Sequence, residues 1–340
     1  MTATEIGVVA RAKGLAGRLV PRQTLETLAT VEKFEAFVQS LSRLGSAIDP
    51  IGEPADVFAV ERAIARTASR HLWTLYRWQE RTPGVVDVFA AHQDRRSLRA
   101  LLRGAAGGAS PEARARGLLP TALLPQGALT DLAHQPSPSA VVQRLFLLAH
   151  PDASRLLPLV ETSPIDLLAV DEALLAGFAN RACRIAVRAD EALREFVRML
   201  IDAGNAQNAL LVAGEPVDVD RSTLFVHGGR WFPVDAFLAV TRAASFQQAV
   251  TVLTAAIAHS PLALSVPLVA TDVADVDRTF VVTILQWLAR ASRLDPLSTA
   301  PLLRVLLLVE AQSRDLRTLA WGVALGTPPS LRTQQLVTPA

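Results

Sequence analysis

Apolar residues recur along this chain at steps of three and four. Val57, Val60, Ile64, Ala68, Leu72 and Leu75 share one face of a helix turned to a core. The run 302–309 is apolar on every face except at Arg304, the pattern of a largely buried helix. Two-residue alternation is weak. The one β-like stretch, Thr223-Leu224-Phe225-Val226 before Gly228-Gly229, is short. These patterns predict an all-α protein.

The pattern also repeats. Leu19-Val20-Pro21-x-x-x-Leu25-x-x-Leu28-Ala29, closing in Val38-Gln39-x-Leu41, returns 104 residues later as Leu123-Leu124-Pro125-x-x-x-Leu129-x-x-Leu132-Ala133, closing in Val142-Gln143-x-Leu145. A looser third copy starts at Phe225-Val226 and runs through Phe237-Leu238-Ala239 to Ala249-Val250-x-x-Leu253. A second block recurs as Ala59-Val60-Glu61, Ala169-Val170-Asp171 and Asp275-Val276-Asp277, each opening a long apolar-periodic stretch. A third block, Asp94-Arg95-Arg96-Ser97-Leu98-Arg99-Ala100-Leu101-Leu102-Arg103-Gly104, is echoed by Arg314-Asp315-Leu316-Arg317-Thr318-Leu319-Ala320-Trp321-Gly322. Its middle copy, from Asp202 to Leu211, has lost the arginines. Self-similarity at a fixed spacing points to stacked helical units rather than to a catalytic centre. Three units are expected, 1–112, 113–218 and 219–340, with linkers near 104–122 and 213–230 where Gly, Pro and polar residues cluster. Leu98, Leu101, Leu102, Leu316 and Leu319 are the expected core positions.

Composition sharpens this picture. Half of the 340 residues are hydrophobic, enough for a large core, and the apolar mass is Ala, Leu and Val rather than aromatic. The formal net charge is +2, so no charge excess calls for a nucleic acid. The lone Cys183 excludes a disulfide framework within this chain and reads as a small buried hydrophobe. The N-terminal residues carry no signal-peptide pattern. The stretch 243–271 lacks charge over a length that would cross a bilayer. Gln247, Gln248, His259, Pro261 and Pro267 interrupt it, and it aligns with charged parts of the other copies. It is therefore read as soluble helix, loop and helix.

Catalytic and metal patterns are thin. No two histidines stand three or four apart, so no zinc site is expected. Asp272, Asp275 and Asp277 are the densest acid group. No second acidic cluster stands opposite them, and acids in a first helical turn complement the helix dipole. Phosphate-loop and G-x-S-x-G motifs are missing from the sequence.

The third block, its C-terminal echo ending in Gly326-x-Pro328-Pro329, and the opening Ala10-Arg11-Ala12-Lys13-Gly14-Leu15-x-x-Arg18-Leu19 resemble the C-type subunit of the V/A-type rotary ATPases, the relative of the eukaryotic d-type subunit. The most specific part runs from Pro296-Leu297-Ser298 through 302–310 to Arg314 and Leu316-Arg317, and the likeness covers about 5–335. The resemblance implies a funnel of three pseudo-equivalent helical units with approximate threefold pseudo-symmetry, without catalytic residues, cofactor or metal. Proteins of this type sit peripherally on the cytoplasmic face of the membrane, on the proteolipid rotor ring. They receive the foot of the central stalk and pass torque between proton or sodium translocation and nucleotide chemistry elsewhere. In isolation such a protein is monomeric. Arg95, Arg99, Arg103, Arg314 and Arg317 are the candidate partner contacts, with Arg99 and Arg317 at equivalent positions. Capping or salt-bridging within the fold is the competing role for them. A free-standing all-α scaffold or adaptor is the alternative function, and a helical enzyme using the acids at 272–277 is a third.

Overall fold

The computed structural model describes residues 3–78, 84–214, 220–263 and 270–339, and every regular element among them is helical. In chain order these are α1 (Ala3–Ala16), α2 (Arg22–Ala29), α3 (Phe34–Ser42), α4 (Val57–Trp78), α5 (Val85–Ala106), α6 (Pro111–Ala115), α7 (Gln126–Ala133), α8 (Pro138–Leu147), α9 (Ala153–Val160), α10 (Leu167–Ala186), α11 (Glu191–Val212), α12 (Val234–Thr241), α13 (Phe246–Ala256), α14 (Val273–Leu294), α15 (Ala300–Ala324) and α16 (Pro329–Gln334). The β-like stretch at 223–226 falls on a short 3-10 turn, Arg221–Leu224, and its continuation. The Asp220 carboxylate accepts the Ser222 N–H at 3.0 Å and closes that turn locally, which leaves no extended strand to pair.

The first repeated block is a helix pair: α2 with α3, α7 with α8, α12 with α13. Each opens on a proline, Pro21, Pro125 or Pro233, with φ of −63°, −64° and −73° and extended ψ. Proline suits this place because its ring sets φ and it has no N–H to leave unsatisfied. The opening helix is eight residues long in all three. The second helix of the later pairs is capped by a serine, with Ser137 Oγ accepting from Ala140 N and Ser245 Oγ from Gln248 N. Equivalent positions are buried in each pair: Leu25, Leu129 and Phe237; Leu28, Leu132 and Val240; Leu41, Leu145 and Leu253. This register corrects the third copy. Its counterpart of Val20-Pro21 is Phe232-Pro233, not Phe225-Val226. Phe225 and Phe232 both lean on Phe237, at ring separations of 5.4 and 6.4 Å, so the aromatic run at 225 serves the same core from outside the helix.

The second block forms the long helices α4, α10 and α14. Each starts from an aspartate cap: Asp56 Oδ1 accepts from Ala59 N, Asp166 Oδ1 from Ala169 N, Asp272 Oδ1 from Asp275 N. Asp272 is therefore a helix cap, and Asp275 accepts from the backbone and hydroxyl of Thr271 and pairs with Arg278. The third block forms α5, α11 and α15. Leu98, Leu101, Leu102, Leu316 and Leu319 are all buried, as are the apolar residues of 302–309.

The chain makes two compact units. The first comprises Met1–Val86, Arg116–Ala122 and Leu288–Ala340, and the second Asp87–Ala115 and Leu123–Trp287. In the first, α15 packs along α4 and α1 and against α2 and α3. Leu25, Leu28, Phe37, Leu41, Ile64, Leu316 and Leu319 meet in one core. In the second, α10 packs on α11 and α9, and α12 on α11 and α13. The uncharged stretch at 243–271 enters this unit as α13 and a following turn, with Ala249, Val250, Leu253, Ile257 and Leu262 buried, while 264–269 lies outside the described residues. Among the described residues no helix is long and apolar enough to cross a membrane.

Polar side chains on the third-block helices hold the segment that leads into a helix pair. Gln312 Oε1 accepts the Val20 N–H at 2.9 Å, one residue before Pro21. Asp202 Oδ2 accepts Arg230 N at 3.0 Å and Trp231 N at 2.8 Å, just before Pro233. One turn further on, Asn205 exchanges two hydrogen bonds with the backbone of Val226, and Asp315 accepts from Val337 N and Thr338 N. The far end of the opening helix is held by arginine. Arg114 Nη1 donates to Gln135 O at 2.5 Å and Arg332 Nη1 to Val31 O at 2.7 Å, while Arg221 donates to Thr241 O. These guanidiniums supply donors to carbonyls at the end of the helix, Thr241, or just beyond it, Val31 and Gln135.

Two glycines make room for two of those arginines. A Cβ on Gly104 would lie 2.7 Å from Arg114 Cγ, and one on Gly322 would lie 2.8 Å from Arg332 Cγ and Cδ. Helix propensity alone favours alanine by roughly 1 kcal/mol. Gly104→Ala and Gly322→Ala are nevertheless expected to lower the melting midpoint. Gly322→Ala should become neutral or stabilising in an Arg332→Ala background, because the clash is then gone. Thermal denaturation of the wild type, the three single variants and the Gly322→Ala/Arg332→Ala double variant checks this.

Burial pushes the Asp202 carboxyl up to about 6 from an ordinary 3.8, against the pull of the backbone N–H groups of Arg230, Trp231 and Phe232. The folded state thus keeps a proton that the unfolded chain releases. Stability tied to this group rises as pH falls through 6 and is lost above it. From about pH 7 to about pH 5 the wild type should gain on the order of 1 kcal/mol relative to Asp202→Asn, read from denaturant midpoints at each pH.

Candidate functional site

The acid of the second block lies five residues beyond its aspartate cap, on the first turns of α4, α10 and α14, as Glu61, Asp171 and Asp277. Each accepts donors from the third-block helix of another copy. Asp171 is 2 % exposed and is gripped by Arg99 Nε at 3.1 Å and Arg103 Nη2 at 2.5 Å. Asp277 accepts Gln207 Nε2 at 2.6 Å and Arg96 Nη1 at 3.3 Å. Glu61 accepts Trp321 Nε1 at 3.2 Å and Gly117 N at 3.3 Å. Arg99 Nη1 also donates to Gln207 Oε1, which joins the first two sets. The middle copy of the third block has no arginine, yet Gln207 stands where Arg99 does and reaches the next acid with a neutral donor.

The five arginines singled out from sequence therefore occupy different places. Arg95 is buried, 6.0 Å from the Phe178 ring, with His92 edge-on to the same ring. Burial and the neighbouring Arg99 and Arg96 push its guanidinium down to about 10, which leaves it charged at neutral pH. Arg99 and Arg103 converge on Asp171 and keep part of their side chains exposed. Arg314 and Arg317 line a cavity of about 540 Å³ in the first compact unit. Its walls also carry Glu61, Trp321, Arg116 and Arg332. Arg116 stacks over the Trp321 ring at 4.3 Å and over Phe58 at 5.4 Å.

Arg114, Arg221, Arg332, Arg116 and Gln207 are the residues that the sequence reading passes over. A signal for two of them is present: Arg114 and Arg332 follow Gly104 and Gly322 at the same distance, ten residues on. Arg116 has no such signal, because its ring partners come from remote segments. Cys183 is partly buried, and burial raises its thiol pKa. Among the described residues no group of three or more His, Cys, Asp or Glu is placed to hold a metal ion.

These features define an all-helical protein built from a recurring helical pattern, whose charged and amide side chains tie one copy of the pattern to another. A family model described as ATP synthase (C/AC39) subunit matches residues 8–334, nearly the whole chain. The chain belongs to this family, that of the C-type component of the V/A-type ATP synthases and its eukaryotic relatives. No curated protein matches it.

Asp171 is buried while Arg99 and Arg103 keep part of their side chains exposed, so Asp171→Ala should cost about 2 kcal/mol, the range of hydrogen bonds to a charged group. Denaturant unfolding measures it. A loss below about 1 kcal/mol, the range of an exposed pair, would contradict the burial argument.

Proposed function

We propose that this chain is a non-catalytic coupling subunit of a V/A-type rotary ATPase, joining the central stalk to the membrane rotor ring and transmitting torque. The family match over 8–334 carries this reading. The packing supports it: a spacer under torque must not open in pieces, and tightly packed interiors compress little. Side-chain bonds from α15 to the segments at Val20 and Glu61, and from α11 to those at 226–231 and Asp277, tie segments distant in sequence into one load path in each compact unit. On this reading the three units are 1–112, 113–218 and 219–340, arranged as a funnel with threefold pseudo-symmetry. The protein lies on the inner face of the membrane, peripheral to it. Arg99, Arg103, Arg314 and Arg317 offer their accessible atoms to partner subunits, and Arg95 belongs to the same basic set.

An affinity-tagged chain expressed with the stalk and proteolipid subunits of its source should purify with both, and crosslinks should form from the arginine-bearing helices. Recovery of the chain alone would refute the reading. The purified chain should hydrolyse no nucleotide by itself; turnover that tracks this polypeptide through purification would also refute it.

A further inference from the structure

We propose that the cavity between α15, α16, the start of α4 and the loop at 116–117 is a binding site for a phosphate group, carried by a small anion or by a lipid headgroup. Among the described residues that line it are four arginines, Arg116, Arg314, Arg317 and Arg332, and one carboxylate, that of Glu61. That carboxylate accepts Trp321 Nε1 and Gly117 N, two neutral donors. The arginines come from three segments, Arg314 and Arg317 from α15, Arg332 from α16 and Arg116 from the loop after α6, so their side chains approach one volume from different directions. Such convergence suits a tetrahedral phosphate, whose oxygens point in several directions, better than a planar carboxylate, which one fork can satisfy.

The walls are held in advance. Arg116 Cζ lies 4.3 Å from the centre of the Trp321 ring and 5.4 Å from that of Phe58, and the two rings, set edge to face, fix its place in the wall. Arg332 is anchored through Nη1 to Val31 O beside the side-chain-free Gly322. Gly117 has φ of +74°, a conformation other residues rarely take, and a Cβ there would sit 3.8 Å from the Arg317 guanidinium. The volume of about 540 Å³ suits a small ligand rather than a protein segment, because a stable protein contact needs on the order of 1,000 Å² of buried surface. This inference stands on the cavity alone and does not require the rotary-complex reading.

Isothermal titration of the full chain with inorganic tripolyphosphate tests it, alongside flotation with phosphatidylglycerol vesicles and, as control, phosphatidylcholine vesicles. Saturable binding of tripolyphosphate at one site per chain is expected, weakened about tenfold or more in Arg116→Ala and in Arg317→Lys, which keeps the charge but loses the fork. Arg116 is exposed, so its variant should fold, and matched thermal melts verify this for both. Binding confined to phosphatidylglycerol vesicles and weakened by the same variants would support the site and assign it to a lipid headgroup. The proposal fails if neither probe binds, if binding is unchanged in both variants, or if a glutamate-rich peptide at equal ionic strength binds as tightly as tripolyphosphate.

Discussion

A helix that ends against a neighbour leaves carbonyls with no further turn to pair them, and in this protein guanidinium groups meet them. Arg332, Arg114 and Arg221 donate to Val31, Gln135 and Thr241, each at the close of the opening helix of a pair. Eight-residue helices are too short to be stable alone. They persist because a proline starts them, an arginine from elsewhere closes them, and a buried leucine or phenylalanine face packs in between. Gly104 and Gly322 follow from the same requirement, since any side chain there would occupy the path of the arginine stem.

The links at Glu61, Asp171 and Asp277 show how one geometry tolerates different chemistry. Asp171 takes two guanidiniums, Asp277 an amide and a guanidinium, and Glu61 an indole and a backbone N–H. Buried charge pairs gain little net stability over apolar packing, but a broken one is costly. Their value here is in specifying which helix meets which. A neutral donor such as Gln207 specifies the contact equally well, so the loss of arginine from the middle copy does not loosen the link it makes.

Divergence among the copies has a local consequence. Arg103 turns inward to Asp171, whereas its C-terminal counterpart is Trp321, which places a flat ring beside Glu61. Arg116 stacks on that ring. The basic cavity exists in the first compact unit because of this exchange of a paired cation for an aromatic surface. Arg314 and Arg317 thereby differ in surroundings from Arg96 and Arg99, although the two pairs match in sequence.

The all-helical class, the proline-opened pairs, the long helices with an acid in the opening turns and the buried leucines of the third block were all legible in the sequence. Each depends on local periodicity or on a residue that acts on its own backbone: Pro21, Asp166, Leu98 and Leu316 declare themselves without a partner. In the third copy Phe225-Val226 imitates the start of a pair, and the start of α12 at Pro233, with Phe237, Val240 and Leu253 buried at the matching positions, shows that Phe232-Pro233 holds that place. The pairing of Arg99 and Arg103 with Asp171, the anchoring of Arg332 at Val31 and the stacking of Arg116 on Trp321 were decided by tertiary structure. A guanidinium fork bonds a carboxylate, a carbonyl or a ring face with similar ease, and nothing in the local sequence selects among them until folding brings one within reach.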